Sequence, residues 1–294
     1  MNIYFIGTVK FSYSALETIL KIDGANVVGV ATNEKSAFNA DYKDLTPLCK
    51  EHNVPCQFIK NINEPEHITY IQSLKADVIF CFGWSNLLKK DILECTPMGV
   101  VGYHPAALPL NRGRHPLIWA IVLGLKQSAS TFFFMDEGAD SGDILSQSYF
   151  NIKYKEYAFD VYQKMNDVAQ DQIKTFVPQL ISGNYPKEKQ NHSKANHWRK
   201  RGMRDGGIDF RMSSNAIYNL VRGLSKPYVG ASVWIGEEEI KIWKSKEEKL
   251  DLPNIEAGKV LSVEGDEVLV KTYDGGIWLT EHEFKETPKV GTYL

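Results

Sequence analysis

Apolar and polar positions alternate along the first half of the chain in two distinct periods. Short apolar runs at Asn2–Gly7, Val27–Ala31, Cys56–Ile59, Asp77–Phe82 and Gly99–Tyr103 predict strands. Between them lie stretches with helical spacing at Tyr13–Ile22, Asp44–Glu51, Pro65–Ala76 and Leu87–Cys95. Strands alternating with helices predict βαβ units and a mostly parallel, Rossmann-like sheet with helices on both faces. The pattern then loosens. His115–Leu125 reads as an apolar helix, Ser130–Met135 and Asp143–Phe150 as strands, and Ala158–Gly183 as one long helix.

A polar, basic stretch follows, and after it the period changes again. Asn215–Leu224 predicts a short helix. Strand-like runs come at Ala231–Ile235, Ile240–Lys244, Lys259–Val263, Val268–Thr272 and Gly276–Leu279, separated by turn residues. This predicts a small C-terminal β-barrel-like, OB-like domain. The expected organisation is an α/β catalytic domain over 1–184, a linker over 185–207 and a small β-rich domain over 208–294.

Composition narrows the picture only a little. With 43% hydrophobic and 24% charged residues, the 294-residue chain is ordinary for a globular protein. A formal net charge of -2 does not advertise a nucleic-acid binder. Cys49, Cys56, Cys81 and Cys95 form no C-x-x-C pair, so neither a zinc site nor a disulfide framework is expected. The first residues lack a basic region before a long apolar run, and no run approaches the roughly 20 residues that span a membrane. The expectation is a cytoplasmic protein.

Several segments carry candidate chemistry. The turn after the first strand, Gly7–Ser12, has one glycine and is not a dinucleotide fingerprint; Ser12 or Ser14 is expected to cap the next helix. Phe82-Gly83-Trp84-Ser85-Asn86-Leu87-Leu88 follows a buried strand, where open parallel sheets bind ligands. It reads equally well as a packed loop. His104 closes the next strand, and histidine needs the least tuning to move protons near neutrality. Arg112 and Arg114 flank Gly113 and could clamp an anion, although exposed arginines are usually just solvated. Asp140 lies in an acidic turn that lacks calcium-loop spacing; meeting His104 in space, it would hold the imidazole in one tautomer. The basic run Lys187, Lys189, Lys194, Arg199, Lys200, Arg201 and Arg204 reads first as solvated linker and second as a phosphate grip.

Taken together, these segments resemble the folate-dependent formyltransferases, a family that includes methionyl-tRNA formyltransferase and the sugar N-formyltransferases. The family pattern N-x-H, S-L-L-P-x-x-R-G-x-x-P and D-x-G-D-I is matched by Gly102-Tyr103-His104, by Ala106 to Pro116 and by Asp140-Ser141-Gly142-Asp143-Ile144. Asp205 to Phe210, Asn219 to Leu224 and Pro227 to Ala231 resemble the start of the family's C-terminal domain.

The resemblance implies N10-formyltetrahydrofolate as formyl donor, held by Phe82, Gly83, Trp84, Leu87, Leu88, Gly138 and Asp140. It implies His104 as the proton-transfer group and Asp140 as its partner. Arg112, Gly113 and Arg114 would face the acceptor. The short segment around Asn33–Leu45 and the wording of Val221-Arg222-Gly223 and Pro227-Tyr228 are closest to enzymes that formylate nucleotide-linked amino sugars. Such relatives are often homodimers. Two alternatives stay open: a methionyl-tRNA formyltransferase, and a non-catalytic binder. The second arises because the family's oxyanion-binding asparagine is Gly102 here. Losing one such donor costs on the order of 10²–10³ in rate, and Asn86, His115 and the Tyr103 hydroxyl are candidates to replace it.

Overall fold

A computed structural model describes residues 1–34 and 41–294. Most of the short segment read as sorting the family's branches, Lys35–Ala40, lies outside the described residues. In chain order the elements are β1 (Asn2–Ile6), α1 (Lys10–Ile19), β2 (Asn26–Thr32), α2 (Thr46–Glu51), β3 (Cys56–Phe58), α3 (Pro65–Ser73), β4 (Val78–Cys81), α4 (Lys90–Leu93), β5 (Val100–His104), β6 (Arg112–Gly113), α5 (Pro116–Val122), β7 (Gln127–Phe134) and β8 (Ile144–Asn151). There follow α6 (Ala158–Ser182), β9 (His197–Trp198), α7 (Ser214–Leu224), β10 (Ala231–Ile235), β11 (Glu238–Glu248), β12 (Val260–Glu264), β13 (Glu267–Lys271) and β14 (Gly276–His282).

A seven-stranded sheet runs in the order β3-β2-β1-β4-β5-β7-β8. It is parallel from β3 to β5, and β7 joins antiparallel to β5. The expected Rossmann-like α/β sheet is therefore present. β4 is buried throughout, as the central strand of a sheet covered on both faces must be. Chain order reverses between β1 and β4, which makes the ends of these strands a topological switch point, the usual ligand crevice of such sheets.

Ser12 ties that crevice together. Its hydroxyl accepts from the N–H groups of Thr8 and Val9 (both 3.1 Å) and donates to the Phe82 carbonyl (2.5 Å). Ser12 thus caps from inside the first turn of α1, whose N-cap is Val9, and Ser14 does not serve as N-cap. The expected helix at Leu87–Cys95 shrinks to α4. Asn63 accepts from Lys89 N–H and donates to the Leu87 carbonyl, holding the preceding residues as a loop. The helix expected to reach Leu125 stops at Val122, because Gly124 takes φ +68°.

The chain forms two compact units. The first comprises Met1–Pro116, Ser128–Phe150 and Gln163–Trp198; the second comprises Leu117–Gln127, Asn151–Tyr162 and Arg199–Leu294. This departs from the expected linear division with a linker over 185–207. Residues up to Trp198 belong to the first unit because β9 pairs with β6, and because Ile144 and Glu188 exchange backbone hydrogen bonds. Hydrogen-bond pairing, invisible in a polar sequence, turns that stretch into structure.

The second unit is built on a five-stranded antiparallel sheet, β10-β11-β14-β13-β12, the β-rich domain expected from the sequence. Ile217, Leu220, Val221 and Leu224 of α7 share a core with Val233, Ile242, Val270 and Leu279 of the strands. Burying each such side chain contributes about 1.5–3 kcal/mol relative to exposure. Ser213 caps α7 by accepting from Ala216 N–H. Among the described residues, no helix is long and apolar enough to cross a membrane.

Candidate active site

β5 ends at His104 on the crevice side of the sheet, and the histidine is 4% exposed. Its Nε2 lies 2.8 Å from the Asn111 carbonyl oxygen. Its Nδ1 lies 3.6 Å from Oδ2 of Asp140, longer than a hydrogen bond. Both ring nitrogens therefore face an acceptor. Asn111 presents its carbonyl from a left-handed backbone conformation (φ +63°), next to a cis Leu108–Pro109 bond.

Asp140 also sits in the left-handed region, at φ +54°. Aspartate tolerates this better than most residues, and conformations of this kind concentrate at functional sites. Three contacts hold it and its turn. Gly113 N–H donates to its Oδ2 (2.8 Å). The Gln190 amide donates to the Asp140 backbone carbonyl (3.0 Å) and to that of Gly142 (2.7 Å). A Cβ on Gly142 would collide with the Phe134 carbonyl, so the turn lies tight on β7.

Other expected site residues are placed differently. Phe82 is fully buried in a ring cluster with Phe5, Phe80 and Phe132. Leu88 is buried as well. Their side chains cannot meet a ligand, because the sheet core claims them. Gly83 takes φ +71°, Leu87 is 70% exposed, and Gly138 is exposed at its loop. The Trp84 indole N–H is buried without a partner.

Arg112 is not an exposed anion clamp. It is 5% exposed, and one terminal nitrogen meets both Gln190 Oε1 (2.6 Å) and His192 Nδ1 (3.1 Å). β6 pairs it into a ladder against β9, which buries it. Gly113 lies so close to the Trp198 backbone that no side chain fits. Arg114 is exposed and donates to the Ser85 carbonyl (3.3 Å).

Gly102, on the same face of β5 as His104, is covered by Met135. Tyr103 points to the opposite face, where its ring stacks on Phe11 at 4.1 Å and its hydroxyl accepts from Ser130. It cannot replace a donor at Gly102. Asn86 is exposed.

The basic run divides. Lys187 stands over the Phe134 ring, whereas Arg199 and Arg201 stand over Trp119 in the second unit. Arg199 is bound to Asp205, whose carboxyl is held well below the usual range by that arginine and by Gly202 N–H. A cavity of about 660 Å³ borders Leu108, Gln147, Gln179, Lys189, Gln190 and Lys194, but neither His104 nor Asp140 lines it. The sequence reading missed Gln190, His192 and Asn196. They sit in a polar stretch with no local signal of burial or pairing.

Comparison with known proteins follows the same lines. A family model described as formyl transferase matches residues 1–177, and one described as formyl transferase, C-terminal domain, matches residues 203–292. A methionyl-tRNA formyltransferase of Clostridioides difficile (strain 630) is 30% identical over 301 residues, covering 100% of this chain and 96% of the relative. Among solved structures, the sugar 3N-formyl transferase WlaRD, in the presence of dTDP and 5-N-formyl-THF, superposes with a TM-score of 0.70 at 21% identity, covering 95% of this chain and 96% of that one. An N-formyltransferase of Helicobacter canadensis, in complex with folinic acid and dTDP-3-aminofucose, gives 0.69 at 20% identity, with 94% and 98% covered. At these identities the two structures share the fold with this chain.

Proposed function

The chain belongs to the formyl transferase family, and on that premise we propose that it moves a formyl group from N10-formyltetrahydrofolate to the amine of a nucleotide-linked amino sugar. The observation that carries the reaction type is the buried His104 with Asp140 opposite Nδ1.

An amine attacks only as the free base, so the site must take up a proton. With Nε2–H donated to the Asn111 carbonyl, a tautomer assigned from its partner, the neutral ring keeps its lone pair on Nδ1. Nδ1 takes the amine proton as the new C–N bond forms. The resulting imidazolium donates from Nδ1 to Asp140, closing the 3.6 Å gap into a charge-assisted hydrogen bond. The proton then passes to the departing folate nitrogen as its bond to the formyl carbon breaks. The Asn111 carbonyl orients the neutral ring, and Asp140 holds it and stabilises its charge once Nδ1 is protonated.

Gly83, Trp84, Leu87 and Gly138 fit the donor. They offer a glycine that permits close backbone approach, an unpaired buried indole N–H, an exposed apolar side chain and an exposed turn. Arg114 is the remaining arginine for the acceptor's diphosphate.

Charge supports the sugar acceptor. Acidic and basic side chains nearly balance over residues 199–294, whereas gripping a tRNA backbone requires a basic surface. The second reading, a methionyl-tRNA formyltransferase, is favoured by the full-length 30% identity to such a relative. The test is a mass-spectrometric assay. Purified protein is incubated with N10-formyltetrahydrofolate and either a panel of dTDP-, UDP- and GDP-linked amino sugars or charged methionyl-tRNA. Formylated sugar is the expected product. Formylated methionyl-tRNA alone would replace the acceptor assignment. Folate binding without either product would point to a binder that has lost turnover.

A further inference from the structure

We propose that Gln190 is a positioning residue for the reaction, acting through Asp140. It rests on the formyl-transfer reading above, and all its residues lie in the first compact unit. Gln190 is 6% exposed in an otherwise exposed stretch from Pro186 to Lys194. Its side chain uses both ends. The amide oxygen accepts from the buried Arg112 (2.6 Å), and the amide nitrogen donates to the carbonyls of Asp140 (3.0 Å) and Gly142 (2.7 Å).

Asp140 needs such a clamp. Its backbone holds a left-handed conformation that L-residues rarely adopt. Among the described residues, its carboxylate is fixed by one hydrogen bond, from Gly113 N–H. Released from Gln190, the turn could relax and swing the carboxylate away from His104. Gln190 itself is anchored from two directions. The Ile144–Glu188 bridge fixes the chain just before it, and the β6–β9 ladder fixes Arg112 against His197 just after it. A terminal nitrogen of Arg112 meets the Gln190 amide oxygen and His192 rather than a carboxylate, and its Nε is buried without a hydrogen-bond partner. Its role is thus to orient Gln190 rather than to close an ion pair. The chain Arg112–Gln190–Asp140–His104 links the segment after α6 to the proton-transfer group.

Three variants test this. Gln190→Ala removes the clamp. Gln190→Glu keeps the volume and the Arg112 contact but sets a carboxylate oxygen against two carbonyls. Asp140→Asn provides the background in which Gln190 has nothing left to orient. We expect both Gln190 variants to lower kcat on the order of 10–10²-fold, as small misplacements of reacting groups do. The KM for the folate donor should stay within about twofold. Adding Gln190→Ala to Asp140→Asn should cost little more. Full activity in Gln190→Glu, or losses that multiply in the double variant, would overturn the proposal.

A substrate-free measurement separates this from failure of the formyl-transfer reading. The His104 ring nitrogen resonances, assigned by their loss in His104→Gln, should shift in folded Gln190→Ala as the carboxylate moves. Unchanged resonances would overturn the positioning role whether or not a formyl group is transferred.

Discussion

A Cβ at Gly102 would stand 2.7 Å from Cγ of Met135 and 2.9 Å from its sulfur. The place where the family pattern carries an asparagine side chain is occupied by a methionine just past the end of the strand alongside. Met135 follows β7, whose Phe133 pairs with Gly102, so both residues face the side of the sheet that carries His104. Restoring asparagine alone must displace a packed side chain. Overpacking of this kind costs about 1–3 kcal/mol. Gly102→Asn is therefore expected to lower the melting temperature without raising turnover. Gly102→Asn combined with Met135→Ala should recover stability and raise kcat, because the amide can then reach the developing oxyanion. Thermal melting and steady-state rates check both statements; a single Gly102→Asn variant that is faster and equally stable would contradict them.

The proton-transfer model predicts unequal behaviour at Asp140. Asp140→Asn keeps a residue that accepts φ +54° and removes only the charge, whereas Asp140→Ala also strains the turn. Both should lower kcat strongly, and only the alanine variant should lower the melting temperature as well. His104→Gln should cost on the order of 10²–10⁴-fold in turnover. A near-normal rate for His104→Gln would exclude His104 as the proton acceptor.

Ser12 holds the switch point with three hydrogen bonds and is fully buried. Ser12→Ala leaves two N–H donors and one carbonyl to find other partners. A loss of about 1–3 kcal/mol is expected, measurable by urea unfolding, together with a raised KM for the folate donor. An unchanged KM would mean that the crevice does not depend on this lashing.

Acid stability should report on Asp205 in the second unit. Arg199 and the Gly202 N–H lower its carboxyl below the usual range, and Arg211 lowers Asp209 to about 2. A depressed folded value means stabilisation present above the unfolded carboxylate value, near 3.9, and lost as pH falls below it. Asp205→Asn should therefore melt below the native protein at neutral pH, with the difference narrowing as pH falls from about 5 to about 2. The pair is partly exposed, so added salt should shrink the effect. A constant difference across that range would rule out the ion pair as its source.

Much of the molecule is legible in residue order because local physics governs it. β4 is apolar over its whole length and β1 from Ile3 onward, and α7 carries a capping serine before an amphipathic stripe. Such signals survive folding, since burial on a sheet rewards the same pattern that defines them. His104 and Asp140 were legible as motif positions. Their encounter is expected from the family resemblance, but its geometry is not legible, because it depends on β7 pairing antiparallel with β5 and on a turn that folds back through Phe134 and Asp143.

Arg112 marks the limit most clearly. In the chain it is one of two arginines around a glycine in a polar segment, and solvent is the natural expectation. Pairing with a strand 85 residues away buries it and hands it to Gln190. Phe82 reverses the same way: an aromatic in a ligand loop becomes core because Phe5, Phe80 and Phe132 converge on it. Residue order carries periodicity, caps and reactive groups, which act over a few positions. Long-range register alone decides which of those groups meet and which are shut away from water, since each such contact joins segments that share no local signal.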